Sequence, residues 1–364
     1  YLMTSSFLRR SELGRMPFFL ERWGNTFKRL LPPLVVVVLA TLGATFLLLP
    51  ARRWKEITVQ SFASLTYWEN WRLVEVATDY YADDTALASP LQHLWSMSMQ
   101  GQMFLLWPVL MTLAVLLAKR LGKSLRGTVL AAFAVLMLAS LAWLLFLSPG
   151  DDSVYFDTRA RVWEFAFGSM VAAAAPWLKL PPRAARVVVT TALAVLLLFC
   201  VVSIGDYPSP MAFFPMLSAS ALLLYLPAVP QSVVHRFLSL GPLVALGDIS
   251  YALYLVHWPV FVFSLAWLER PALGLRGGTV LIIASVVLAW LLTKVVDDPL
   301  RRLSWSNAST LNKWLTVAAC LLIGLVPVGW AYRSVTVGSS RVDNFVKDYA
   351  AYLNGDEASA TRVL

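Results

Sequence analysis

Apolar runs of membrane-spanning length recur along the whole chain, and no other feature of the sequence constrains its fold so tightly. They lie near 31–49, 94–118, 128–147, 160–178, 187–204, 211–226, 249–268, 279–295 and 314–332. A helix needs about 20 mainly apolar residues to cross the hydrocarbon core. In lipid its backbone polar groups must also be satisfied within the segment, so such runs predict transmembrane helices. Composition agrees: 59% of the 364 residues are hydrophobic and 14% are charged, against roughly 25% charged in soluble domains. The expected fold is an all-α polytopic membrane protein with about nine transmembrane helices. The run at 211–226 is short and carries Pro215, so a re-entrant element is the alternative there.

An odd number of spans puts the two termini on opposite sides, and charge says which is which. With 1–30 taken as a cytoplasmic basic loop, the cytoplasmic segments hold most of the 30 Lys and Arg, including Arg9, Arg10, Lys119, Arg120, Lys123, Arg126, Arg301 and Arg302. Basic residues in short loops near span ends favour that orientation. The expected location is the plasma membrane, multi-pass, with the tail 333–364 extracytoplasmic. The net charge of +9 is then a topology signal and a contact to anionic membrane lipids. Nucleic-acid binding is not expected, because no basic face stands free of the membrane. Cys200 and Cys320 fall within apolar runs and are expected to be small buried residues without a disulfide framework.

The long segment 50–93 is predicted to be an external loop within the transmembrane domain 31–332. Its aromatics (Trp54, Tyr67, Trp68, Trp71, Tyr80, Tyr81) argue for order, and loops this long in compact domains are usually functional or disordered. Pro32-Pro33 is expected to start the first span, since proline suits a first helical turn. The tail is expected to be partly helical over 342–353. The chain opens at Tyr1 in a basic segment and closes in a linker-like stretch, so it is expected to be a piece of a longer protein.

Ionisable residues at membrane depth are costly, so each marks a site by default. Three places concentrate them. Ser96 and Gln100, with His93 just before them, open the second span, and helical spacing puts them along one face. Arg159, Arg161 and Glu164 stand where the fourth span begins, and Arg161 and Glu164 are spaced to pair. Ser250, Tyr251, Tyr254 and His257 run along the seventh span, Tyr254 and His257 on one face. Each has a plainer alternative: a neutralised ion pair, a hydrogen-bonded packing histidine, or packing tryptophans at Trp95, Trp107 and Trp258. No nucleophile elbow, phosphate loop or dinucleotide fingerprint occurs. With 3 His and 2 Cys no metal site is expected. These features alone do not separate an enzyme from a transporter.

Several blocks together resemble the acyltransferase-3 family of membrane O-acyltransferases, particularly its actinobacterial members. They are Lys28-Arg29-Leu30-Leu31-Pro32, the stretch from Ser64 through Asn70-Trp71-Arg72 to Leu73, and Asp79-Tyr80-Tyr81 followed by Ser89 to Ser96. Gln100-Gly101-Gln102 through Trp107-Pro108 closes that run, and Arg161 to Gly168 and Gly247 to Pro259 follow in order. The likeness covers roughly 1–302. The chain departs from the family at Gln100-Gly101, where many members have paired glutamates, and at Thr26, which replaces an Arg of the basic motif. The family's proposed catalytic His, on a first span, is absent. The resemblance implies that two spans precede this chain and that an SGNH-type domain follows it.

The resemblance also implies an activity: transfer of a short acyl group, acetyl from acetyl-CoA or another acyl-CoA, to a hydroxyl of a cell-envelope glycan or glycolipid. It implies Lys28 and Arg29 as the coenzyme's cationic mouth and His257, Glu164, Arg161, Ser96, Gln100 and Tyr254 as the catalytic group. Asn70, Arg72, His93 and Trp95 are implied as substrate contacts. The alternatives are a transporter or flippase of a lipid-linked sugar or acyl donor, and a non-enzymatic scaffold.

Overall fold

The computed structural model describes residues 1–14, 19–78, 88–147, 152–202, 209–270 and 272–353. Among them are sixteen α-helices, joined by short 3-10 and π turns. They are α1 Leu2–Glu12, α2 Phe19–Leu48, α3 Trp54–Leu65, α4 Glu69–Thr78, α5 Leu94–Leu121, α6 Leu125–Ala142, α7 Thr158–Ala174 and α8 Pro182–Val201. Then come α9 Phe213–Tyr225, α10 Val233–Leu238, α11 Gly241–Asp248, α12 Ser250–Leu268, α13 Leu275–Leu292, α14 Asp298–Arg302, α15 Ser304–Ala308 and α16 Thr310–Leu353. The Asp79-Tyr80-Tyr81 block lies outside the described residues.

Every apolar run named above is helical over most of its length among the described residues. Among the described residues, eight helical segments are long and apolar enough to cross a bilayer, so the chain is a multi-pass membrane protein. The run at 211–226 is one of them, within Pro210–Ala228. The run at 160–178 differs. It forms α7, which has 17 residues and carries Arg159, Arg161 and Glu164 within its first two turns, so it falls just short of those eight; 17 residues still rise about 26 Å, close to the thickness of the hydrocarbon core.

Other expectations are corrected. Pro32 and Pro33 lie inside α2, which starts at Phe19. Each proline removes only the bond to the carbonyl four residues back, at Lys28 and Arg29, and membrane helices tolerate such losses. The segment 1–30 is largely helical, and α1 buries Phe7 and Leu8. Cys200 is exposed and Cys320 half-buried, both as free thiols; an apolar residue on a span can face lipid as readily as protein. The tail is helical over 342–353 as expected, because α16 continues without a break to Leu353.

The chain divides into two compact units. The first comprises Tyr1–Phe27, Tyr67–Asp84 and Trp95–Tyr251. Its core gathers Phe7 and Leu8 of α1, Met103, Trp107 and Met111 of α5, Phe133 of α6, and Val162 and Ala166 of α7. Small residues on α7 let its neighbours approach closely. Ser169 receives the Trp107 indole N–H at 2.7 Å and shares a hydrogen bond with Thr4 at 2.8 Å. Tyr67 has a left-handed backbone, φ 58°, a strained state for a bulky side chain. Its ring lies over Gly101, where a Cβ would come within 2.0 Å of the Tyr67 Cδ1. Glycine is required there.

The second unit comprises Lys28–Thr66, Thr85–Leu94 and Ala252–Leu364. Helix α2 contributes Leu31, Leu34 and Val38, and α3 buries Ile57 and Leu65. Helix α16 meets both through Gly324, whose α-carbon side has Leu65 Cδ1 at 3.0 Å and Val35 Cγ2 at 3.2 Å from an added Cβ. The described residues of 50–93 are thus largely helical, and α3 is part of this unit's core.

Candidate functional site

Each unit holds a polar cluster built near helix termini. In the first unit, Asn70 stands in the first turn of α4 and is fully buried. Its amide donates to Thr158 Oγ1 at 2.9 Å and to the Phe156 carbonyl at 3.2 Å. Its Oδ1 accepts from Gln102 Nε2 at 2.8 Å. Gln102 also donates to the Tyr67 carbonyl at 2.9 Å, and its Oε1 accepts from Thr158 at 2.9 Å and the Trp71 indole at 3.3 Å. The two amides and the threonine saturate one another, which is the condition for keeping such groups buried.

Beside it, Asp157 caps α7 by accepting from the Arg159 backbone N–H at 2.7 Å, the ordinary role of Asp at a helix start. The Arg159 guanidinium lies 4.2 Å above the Trp143 ring. Arg161 and Glu164 form the predicted pair as a two-pronged fork, Nε to Oε1 at 2.6 Å and Nη2 to Oε2 at 3.2 Å. Arg161 also faces the rings of Trp95 at 5.4 Å and Tyr155 at 5.9 Å. A guanidinium held by a planar fork among aromatic faces is rigid, charged and shielded.

In the second unit the cluster is histidine-centred. The ring of His93 lies 5.2 Å from that of Tyr254 and 5.5 Å from that of His257, the two imidazoles nearly perpendicular at 82°. The Tyr254 hydroxyl donates to the His93 carbonyl. Trp258 donates its indole N–H to the Ser89 carbonyl at 2.8 Å, and the Ser89 hydroxyl donates to Gln60 Oε1. The segment 88–93 is thereby pinned against α12.

The two histidines differ. His257 is exposed, and its Nδ1 sits 2.8 Å from the Tyr254 carbonyl and 3.1 Å from that of Leu253. A carbonyl can only accept, so Nδ1 carries the proton in the neutral ring and Nε2 keeps its lone pair. The ring nitrogens of His93 are buried and make no hydrogen bond of normal geometry. Burial, and then the charge of His257, push the His93 pKa down to about 3, against a smaller opposite pull from the backbone of Leu255 and Tyr254. His93 therefore stays neutral near neutral pH.

The remaining predicted residues are placed as follows. Lys28 is buried in α2 and donates to Asn307 Oδ1, while Arg29 is exposed. Ser96 is half-buried in the first turn of α5 and Gln100 is exposed. Arg72 bonds Glu75 at 3.2 Å on an exposed face. Sequence reasoning missed Gln102, Thr158, Gln60 and Ser89. Gln102 was within the quoted Gln100-Gly101-Gln102 block, but residues two apart point to opposite sides of a helix. Gly101 was the available signal, because a required close approach beside it marks the inward side.

A family model described as an acyltransferase domain matches residues 1–294. The chain belongs to the acyltransferase-3 family. The O-acetyltransferase OatA of Staphylococcus aureus is 27% identical over 371 residues, covering 96% of this chain and 58% of that protein. The peptidoglycan O-acetyltransferase OatA of Listeria monocytogenes is 25% identical over 353 residues, covering 89% and 55%. The acyltransferase-3 chain described here thus spans 58% or less of the length of these two relatives. No solved structure matches it.

Proposed function

We propose that the protein is a membrane O-acyltransferase that moves an acetyl group from acetyl-CoA to a hydroxyl of a cell-envelope glycan. Peptidoglycan is the acceptor favoured by the name of the Listeria relative. Family membership favours this over a transporter or flippase. The observation that carries the chemistry is the 2.8 Å contact of His257 Nδ1 with the Tyr254 carbonyl, which assigns the proton of the neutral ring to Nδ1 and leaves Nε2 to accept one, beside a neutral His93.

In this reading His257 Nε2 takes the proton of the acceptor hydroxyl, whose oxygen forms the new ester bond to the acyl carbon. The carbon–sulfur bond of the donor breaks, and the proton passes to the departing thiolate, leaving an ester and a free thiol. Imidazole suits both transfers near neutral pH. Tyr254 positions His257 through its carbonyl and His93 through its hydroxyl. In the first unit, the aromatic faces of Trp95 and Tyr155 around Arg161 suit a sugar ring, which offers flat apolar faces and polar edges. Glu164 holds Arg161 in that position. Lys28 and Arg29 supply cationic charge for the coenzyme, and their end of α2 is assigned to the cytoplasm, with the segment 333–353 on the opposite side.

The test is mass spectrometry of envelope glycans from a deletion strain complemented with the full gene. Wild type restores O-acetylation and His257→Gln does not, at equal membrane abundance. Full restoration by His257→Gln overturns the assignment.

A further inference from the structure

Three indoles of the first unit gather around one arginine, and the acyl transfer described above uses none of them. The Arg159 guanidinium lies 4.2 Å from the centre of the Trp143 ring and 5.5 Å from that of Trp71. Trp71 has Trp68 beside it, with ring centres 5.8 Å apart and planes tilted by 33°. Trp71 bonds Gln102 in the third turn of α5, whereas Lys119 and Arg120 close that helix. Basic residues mark the cytoplasmic end of a span, so in the assigned orientation the indoles stand toward the opposite side.

A tryptophan that only anchors a membrane interface turns its N–H toward headgroups or water. Here two of the three turn theirs inward, Trp71 to Gln102 at 3.3 Å and Trp143 to Asp157 at 3.1 Å. Asp157 also holds Arg159, through Nε at 3.1 Å and Nη2 at 2.9 Å. The arginine is thereby fixed and its charge balanced, yet its side chain is still 54% exposed. Trp68, the outlying ring, is 54% exposed as well. A pyranose offers an apolar C–H face and an edge of hydroxyls; a flat indole covers the first and fixed guanidinium donors meet the second. Because Asp157 balances the charge, the group suits hydroxyls and amides better than a lipid phosphate.

We propose that Trp68, Trp71 and Arg159 form a second sugar subsite, for the ring next to the one held at Trp95 and Arg161. The protein then selects linked sugars over a single short unit. This assignment rests on the glycan-acceptor reading above. One saturated network separates the two subsites. On one side Asn70 donates to the carbonyl of Phe156, whose ring meets that of Trp95 at 5.5 Å. On the other, Gln102, bonded to Asn70, receives the Trp71 indole. The fold therefore fixes their spacing.

The test uses the full-length protein in nanodiscs with peptide-free peptidoglycan fragments, a disaccharide and a tetrasaccharide, and titration calorimetry as the readout. Wild type binds the tetrasaccharide about tenfold tighter than the disaccharide, the order expected of one further stacked ring. Trp68→Ala binds the tetrasaccharide no better than the disaccharide, and Trp68→Tyr keeps most of the preference. Both variants retain the Trp68 carbonyl, which accepts from the N–H groups of Trp71 and Arg72 at 3.1 and 3.2 Å, so both keep the wild-type Tm. A preference that survives Trp68→Ala, or that falls only together with Tm, makes these indoles an interfacial anchor or a structural cluster and overturns the subsite. If wild type binds both fragments equally, the glycan acceptor stands and the second subsite falls. If it binds neither, the glycan acceptor falls too.

Discussion

The two polar clusters obey opposite rules. Around Asn70 and Gln102 every amide group has a partner, and the network joins α4, α5 and the start of α7. Around His93 and His257 the backbone is pinned just as firmly, by Tyr254 and Trp258, yet imidazole nitrogens remain outside the hydrogen-bond network. A saturated buried network contributes rigidity and a unique arrangement. A cluster with lone pairs left over has chemistry to offer. In the function proposed above, the Asn70–Gln102 network holds shape and the histidine cluster exchanges a proton.

The comparison breaks or sharpens in order of effect. Replacing His257 with Gln should lower acyl transfer by a factor of about 100 to 10,000, the usual contribution of a positioned acid–base group, with unchanged membrane abundance on immunoblots. Glu164→Gln keeps the shape of the fork with Arg161 but removes its charge. We expect loss of glycan O-acetylation at normal protein level; near-normal product would return the Arg161–Glu164 pair to a purely structural role. Gln102→Leu strands Asn70, Thr158 and the Tyr67 carbonyl. Each buried unsatisfied group costs about 1–3 kcal/mol, so unfolding in detergent should show a loss on the order of 3 kcal/mol. A variant as stable as wild type would mean that the network contributes little.

A smaller effect appears with pH. The His93 pKa is lowered to about 3 in the folded protein, while an unfolded imidazole titrates near 6.5. Between those values the unfolded chain binds the extra proton, so stability rises with pH and is lost as pH falls from about 6.5 toward 3. His93→Gln should flatten that slope in thermal unfolding across the window; an unchanged slope would place the titration elsewhere. The smallest effect is expected at Gln100→Ala. Its side chain is exposed, and such surface changes usually stay within about 0.5 kcal/mol.

Much of the fold was legible because hydrocarbon imposes a length. The apolar runs became helices where expected, α7 being the one whose run is interrupted by Arg161 and Glu164. The Arg161–Glu164 pair was legible too, since a spacing of three on a helix brings side chains together without any tertiary information. The Tyr254–His257 face followed from the same spacing. The partnership of His93 with both was not legible, because it depends on 88–93 lying against α12, more than 150 residues away in sequence. The choice between Gln100 and Gln102 was equally hidden: both are glutamines on one helix, and only the packing of Tyr67 on Gly101 shows which side is inward.

Amino-acid order alone determined the membrane class, the positions of the spans and which polar residues stand near them, because those follow from periodicity and from the energetic cost of polar groups in lipid. Tertiary structure decided which polar groups are mutually satisfied and which keep a lone pair. Hydrogen bonds between distant segments depend on angles and fractions of an ångström, and no local spacing encodes them.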